Sequence, residues 1–323
     1  AQATATAGYF FGTPGAFESE NERIIDKLTR QMRNIVLIGM PGSGKSTIAK
    51  TYGMKIFSSD EYRERFFGDI NDQTHNDKVF SMLHNDIREC LREGESCILD
   101  ATNISRKSRK RMLDFISSVP CFKKAHVVCP RLDTVFKQND ERDRKVPPDV
   151  IQRMLKQFEF PQLFEGFDEI YVTNNYDSYC EEELSNMFKA MSGFDQKNPH
   201  HIYDLASHCI RVANKFPHQD IRHDVGYIHD IGKLTTQTFD DKGVAHYYNH
   251  DNVGTYIIAS LTDFGSVVSY RNLLKLFFIN YHMRAHNDFC TPKAESKYRH
   301  LFGDDLFDSL MEFAEADRES TGT

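Results

Sequence analysis

The stretch Asn34-Ile35-Val36-Leu37-Ile38-Gly39-Met40-Pro41-Gly42-Ser43-Gly44-Lys45-Ser46-Thr47 decides the fold of the first half of this 323-residue chain. Its opening five residues are a short apolar, β-branched run of the kind that forms a buried parallel strand. The run ends in a glycine-spaced loop with Lys45 and Ser46 at its close. Glycines let backbone N–H groups wrap phosphate oxygens, a following helix adds its N-terminal dipole, and the lysine reaches the outer phosphates. Gly39, Gly42, Ser43, Gly44, Lys45, Ser46 and Thr47 are therefore expected to hold ATP, with the Ser46 hydroxyl on Mg2+.

Further strand patterns follow at 96–100, 125–129 and 169–173, and helical patterns at 78–92 and 105–117 lie between them. Strands alternating with helices predict βαβ units and a parallel sheet, an α/β domain over residues 34–192. Residues 1–33 read as an arm, with an amphipathic helix over 18–32 that puts Ile24, Ile25, Leu28 and Met32 on one face. The polar, Gly- and Pro-containing segment 193–199 reads as a linker. Beyond it the strand signal fades, and 201–215, 222–231, 251–262, 268–285 and 304–318 read as helices, so residues 200–323 are expected to form an all-α domain.

Composition narrows the function classes. A hydrophobic share of 40% with 27% charged residues is ordinary for a soluble globular protein, and no apolar run approaches the ~20 residues of a membrane span. The opening Ala1–Ala7 lacks a basic segment followed by an apolar one, so it reads as an arm and not as a secretion signal. Seven scattered cysteines without a CxxC pair suit reduced thiols, hence a cytoplasmic setting. A net charge of -7 argues against general nucleic-acid stickiness but leaves room for a local basic groove. Most of the 14 histidines lie after residue 199, which points to metal use in the second half.

Transfer of a phosphoryl group to a hydroxyl needs a carboxylate for the acceptor and cations for the developing charge. Ser59-Asp60-Glu61-Tyr62-Arg63, after a second strand, supplies Asp60 and Arg63. Asp100-Ala101-Thr102-Asn103 closes another strand, where a carboxylate can support Mg2+ or its waters. The charged segment Asn139–Pro148 carries Arg142, Arg144 and Lys145 and reads as a lid that brings arginine to the phosphates. The basic run Arg106–Arg111 reads either as a phosphate-backbone contact or as a solvated helix face.

On these motifs, residues 34–170 resemble the P-loop 5′-hydroxyl polynucleotide kinases of phage and bacterial repair. The resemblance implies Asp60 as general base, Arg63 on the acceptor phosphate, Arg142 as the catalytic lid arginine beside Lys45, and Thr102 and Asn103 in the acceptor pocket. The register of the lid leaves Arg142 and Arg144 as alternatives.

In the second half His208, the pair His229-Asp230, His250, His282 and Asp317 fall on or beside helices, and such a set can converge on divalent metal in a bundle. His229-Asp230-Ile231-Gly232-Lys233, with His208 before it and Asp317 after it, resembles the HD phosphohydrolase superfamily. That resemblance implies a first metal on His208, His229, Asp230 and Asp317, and a second on His250 and His282. Lys233 and His286 are then candidates for holding phosphate oxygens. Together the halves suggest an enzyme, bacterial or phage-encoded, that heals nucleic-acid ends, RNA in preference to DNA. It would phosphorylate 5′-OH ends with ATP, remove 2′,3′-cyclic or 3′-phosphate, and act with a separate ligase. The alternatives are a nucleoside or nucleotide kinase coupled to an HD nucleotidase, or a P-loop nucleotide sensor that regulates the HD half.

Overall fold

The computed structural model describes residues 32–199, 201–265, 267–289 and 291–322; the helix expected over 18–32 and Cys290 fall outside them, apart from Met32. Five strands, β1 (Arg33–Ile38), β2 (Lys55–Ser58), β3 (Cys97–Asp100), β4 (Phe122–Val128) and β5 (Glu169–Thr173), form one parallel sheet in the order β2-β3-β1-β4-β5. β1 is buried on both faces after its first residue, which explains why the run 34–38 is uniformly apolar apart from Asn34. β3 and β4 flank β1, with Ile35 opposite Ile98 and Lys124. Strand order therefore runs one way from β1 through β3 to β2 and the other way through β4 to β5, and such a switch point is where parallel α/β sheets open a ligand crevice at their carboxyl ends.

Helices α1 (Lys45–Thr51), α2 (Ser59–Phe67), α3 (Asn76–Arg92), α4 (Arg106–Phe115), α5 (Leu132–Asp140) and α6 (Pro148–Leu155) intervene between the strands or follow them. The helix α7 (Ser178–Met191) closes this half. It has an Asp177 N-cap whose side chain accepts from the Cys180 N–H.

The second half is helical: α8 (Leu205–Ala213), α9 (Ile221–Gly226), α10 (Lys233–Thr236), α11 (His250–Leu261), α12 (Tyr270–Asn287), α13 (Pro292–Phe302) and α14 (Asp304–Glu319). Two differences from the sequence reading stand out. A small antiparallel hairpin, β6 (Thr238–Phe239) with β7 (Ala245–His246), interrupts what reads as purely α. Its strands are two residues long, too short to show alternation, and Gly243 closes its turn with φ 77°. The helix expected over 222–231 stops at Gly226, and the His229–Gly232 stretch is a turn.

The two halves share a continuous apolar core running from Val36 through Tyr256 to Ala314. Polar pins cross between them. The Tyr256 hydroxyl donates to the Pro130 carbonyl (2.7 Å), and Asn174 Nδ2 donates to the carbonyls of Ala259 and Thr262 (2.9 and 2.8 Å). Asn280 Oδ1 accepts from the Phe160 N–H (2.9 Å), and Asn252 Nδ2 donates to the Lys156 carbonyl (2.7 Å). Residues 193–199 are themselves packed: Gln196 is buried and accepts from Lys233 Nζ at 3.0 Å.

Candidate functional sites

The phosphate loop is shaped by close approach. A Cβ on Gly39 would sit 2.5 Å from the Val128 carbonyl oxygen and 2.7 Å from Ser43 Oγ, so only glycine fits there. Gly39 N–H donates to the Thr102 carbonyl (3.0 Å), which ties the loop to the end of β3. Ser43 Oγ is buried without a hydrogen-bond partner, as an atom awaiting a phosphate oxygen would be. Lys45 Nζ donates to the Met40 carbonyl at 2.9 Å. Burial lowers its pKa to about 8, with Arg142 adding to the fall while Asp100 and Asp60 oppose it. Ser46 Oγ donates to Asp100 Oδ2 at 2.9 Å, so a hydroxyl and a carboxylate meet where the resemblance puts Mg2+.

Across the crevice, Ser58 caps α2 through its side chain, which leaves the Asp60 carboxylate free of capping work. Asp60 Oδ1 accepts from Arg63 Nη1 at 2.8 Å, and Asp60 Oδ2 accepts from Arg144 Nη1 at 2.5 Å. Each arginine is held in turn by an amide oxygen: Arg63 by Asn76 (2.7 Å) and Arg144 by Asn71 (2.7 Å). The segment after α5 thus sets Arg144 on Asp60, while the Arg142 charge acts on Lys45. The Asn103 amide turns inward and donates to the Leu37 carbonyl (2.8 Å), with φ 46° at this residue. Thr102 is half-buried beside it.

The basic run Arg106–Arg111 is not a free cationic face. Arg109 is fully buried and forms a two-pronged ion pair with Glu165, Nε to Oε2 and Nη2 to Oε1, both 2.8 Å. Its Nη1 donates to the carbonyls of Asn103 (3.0 Å) and Glu159 (2.9 Å). Lys110 pairs with Asp114 and Arg111 with Asp77. Sequence adjacency hid this because the helical turn of α4 points Arg109 into the core while its neighbours face outward.

In the helical half, His208 (α8), His229 and Asp230 (the turn after α9), His250 (α11), His282 (α12) and Asp317 (α14) converge. Gly232 makes the turn fit: a Cβ there would lie 2.1 Å from the His250 carbonyl oxygen. Four imidazoles use Nδ1 on a backbone carbonyl: His208 on Ser320 (3.3 Å), His229 on Gly226 (2.9 Å), His250 on Tyr247 (2.8 Å) and His282 on Ile279 (2.8 Å). A carbonyl can only accept, so each Nδ1 carries hydrogen and each Nε2 faces inward, the arrangement that orients metal-ligating histidines.

The inward atoms crowd acceptors together. His208 Nε2 lies 2.9 Å from Asp317 Oδ1, His250 Nε2 lies 2.9 Å from Asp230 Oδ1, and His250 Nε2 lies 3.1 Å from His282 Nε2. The ligand atoms of His208, His229 and Asp317 lie within 4.8 Å of one another, as do those of Asp230, His250 and His282. Such N/O sets fit one or two divalent cations. Burial pushes the Asp230 carboxyl up, but Lys233 and then His229 outweigh it and hold it well below the usual carboxylate range. Lys233 Nζ sits 2.7 Å from Asp230 Oδ2, and His286 Nε2 is 2.8 Å from Asp317 Oδ2. Cys209, next to His208, joins a third set with His229 and Asp230, a neighbour that the sequence reading left out. A cleft of about 680 Å3 opens onto Asp230, Lys233, His250, His286 and Asp317.

Fold and loop together define the first half as a parallel-sheet α/β domain of the P-loop kinase-like class, followed by a helical region. Residues 35–161 match the family model of an AAA domain. The chain is 26% identical over 136 residues to the L-seryl-tRNA(Sec) kinase of Methanococcus maripaludis, a match covering 39% of this chain and 52% of that protein. The chain thus spans about half the length of the curated relative it matches. Among solved structures, a chain of the Pnkp1/Rnl/Hen1 RNA repair complex is similar at 22% identity and TM-score 0.36, over 40% of this chain and 44% of that one. A sugar kinase from Janibacter sp. HTCC2649 is similar at 18% identity and TM-score 0.35, over 44% and 85%. Kti12 of Chaetomium thermophilum in complex with ADP-AlF3 is similar at 14% identity and TM-score 0.36, over 49% and 97%.

Proposed function

We propose that residues 34–192 form an ATP-dependent kinase unit for a hydroxyl on a nucleic-acid end, and that residues 200–323 form a metal-dependent phosphohydrolase unit of the HD kind. The observation that carries the kinase half is the Asp60 carboxylate, held between Arg63 and Arg144 and near enough to Lys45 to act on its charge. In this reading Asp60 accepts the proton of the attacking hydroxyl, whose oxygen bonds to the terminal phosphorus of ATP as ADP leaves. Lys45 and Arg142 neutralise charge on the transferring group, and Ser46 with Asp100 holds Mg2+. Arg63 and Arg144 orient Asp60; that Arg63 also reaches the acceptor phosphate rests on the resemblance.

The phosphohydrolase half is supported by the four inward Nε2 atoms around Asp230 and Asp317. His208, His229, Asp230 and Asp317 would hold one metal ion, His250 and His282 a second. Bound metal lowers the pKa of water and polarises a phosphoryl oxygen. Lys233 and His286 line the cleft as hydrogen-bond donors beside the carboxylates, suited to phosphate oxygens. A nucleic-acid acceptor is also supported by the name of the matched relative, a kinase of seryl-tRNA. End healing pairs the two activities: 5′-OH and 2′,3′-cyclic phosphate ends become 5′-phosphate and 3′-OH, ready for a separate ligase.

One observation favours the second reading, a nucleoside or nucleotide kinase joined to an HD nucleotidase. Arg109 is buried in its pair with Glu165, and Lys110 and Arg111 each meet a carboxylate, so this run offers fewer cations to a polynucleotide backbone than its sequence suggests. The deciding experiment incubates the protein with ATP, Mg2+ and a 5′-OH oligoribonucleotide ending in 2′,3′-cyclic phosphate, with free nucleosides in parallel. Conversion of both ends supports end healing. Phosphorylation of nucleosides with both oligonucleotide ends untouched overturns it.

A further inference from the structure

We infer that Tyr248 is a stacking platform for a nucleobase at the mouth of the metal cleft, so that the phosphohydrolase half takes nucleoside phosphoesters in preference to base-free ones. The inference rests on the phosphohydrolase reading and names the substrate class of that site. Tyr248 lies two residues before His250, lines the same cleft of about 680 Å3, and is 62% exposed. Its ring runs nearly parallel to that of His246, at an interplanar angle of 7° and a centroid distance of 5.4 Å. A second ring thus lies nearly parallel to a side chain that is mostly exposed.

The segment that carries the ring is pinned on both sides. The Tyr247 hydroxyl donates to the Gln196 carbonyl (2.6 Å) and accepts from Gln237 Nε2 (2.7 Å). His246 ends the β6–β7 hairpin, and its Nε2 lies 3.5 Å from Asp240 Oδ2. After Tyr248 the chain turns through Asn249, with φ 59°, directly into α11 and the inward His250. Asn249 lines the cleft, and its side chain makes no capping bond to the helix it precedes. Its amide, donor and acceptor both, is chemistry suited to a base edge.

The cleft lining combines two chemistries: Lys233, His286 and the carboxylate–imidazole cluster suit a phosphate, and Tyr248 and Asn249 suit a base. The volume falls within the roughly 300–1,000 Å3 of small-molecule sites. A simple phosphomonoester would leave the Tyr248 ring unused. Stacking on one aromatic ring contributes about 1–3 kcal/mol, roughly tenfold or more in affinity.

The test uses the full chain with Lys45→Ala, which silences the triphosphate loop, and titrates 2-aminopurine riboside 3′-phosphate, whose fluorescence falls on stacking. Quenching that weakens about tenfold in Tyr248→Ala and persists in Tyr248→Phe supports the platform; quenching unchanged in Tyr248→Ala overturns it. In parallel, the ratio of kcat/KM for adenosine 3′-phosphate to that for glycerol 2-phosphate is expected to fall about tenfold in Tyr248→Ala. If both substrates are hydrolysed and that ratio does not move, the platform is overturned while the phosphohydrolase stands. If neither is hydrolysed at any divalent metal but Tyr248→Ala still abolishes quenching, the phosphohydrolase reading fails and the base subsite stands. Tyr248 is exposed, so its truncation leaves the core intact.

Discussion

Asp60 and Arg144, 84 positions apart in the chain, meet at 2.5 Å across the phosphate crevice. A carboxylate in the first turn of α2 is thereby tied to the segment that follows α5, and that segment also carries Arg142, whose charge acts on Lys45. In the proposed kinase reading, any movement of this segment would also shift the Asp60 carboxylate.

Replacing Asp60 by alanine is expected to lower kcat for phosphoryl transfer by about 10²–10⁴, the usual contribution of a positioned base. ATP affinity, measured by equilibrium binding, should stay near wild type. Transfer that survives Asp60→Ala would remove Asp60 as the base.

The two lid arginines separate by kinetics. Arg144→Lys keeps the charge but loses the planar fork that joins Asn71 and Asp60, so kcat is expected to drop with little change in KM for ATP. Arg142→Ala should instead weaken both ATP binding and turnover, since its charge acts on Lys45. The reverse pattern would exchange their roles.

Lys45 has a pKa lowered to about 8 chiefly by burial. Triphosphate bound beside it would raise that value again, so ATP binding takes up a proton in the window just above pH 8. Affinity should therefore fall as pH rises through about 8, and calorimetry in buffers of different ionisation enthalpy reads the uptake directly. Lys45→Arg, charged throughout, should abolish this uptake.

Asp230 faces His250 at 2.9 Å and lies within reach of His208, His229 and His282. Asp230→Asn is expected to lose bound divalent metal, measured by elemental analysis, together with all phosphohydrolase activity. Chelation should lower the thermal midpoint of the wild type but not of the variant. A site at 100 times its Kd contributes about 2.7 kcal/mol. Equal metal content in both proteins would remove Asp230 from the ligand set.

Arg109 and Glu165, with side chains 0% and 2% exposed, form a buried ion pair. Truncating one partner strands the other charge, so Arg109→Met is expected to destabilise by about 3–5 kcal/mol in urea unfolding. The double variant Arg109→Met, Glu165→Met should recover much of that loss. A variant of unchanged stability that lost only nucleic-acid binding would return Arg109 to the acceptor surface.

Much of this molecule is legible in its residues. The apolar run 34–38 ending in glycine, lysine and serine dictated strand, loop and helix, because a buried parallel strand and a phosphate-wrapping turn each tolerate few side chains. The inward histidines and aspartates were likewise visible, since their spacing put each on or beside a helix. Contacts between distant segments were not. Only the folded chain sends Arg109 inward to Glu165, turns Asn103 onto β1, assigns Arg144 to Asp60, and places Cys209 with His229 and Asp230. Local pattern reports which face of one element is apolar, whereas the partner of a charge depends on which elements the core brings together.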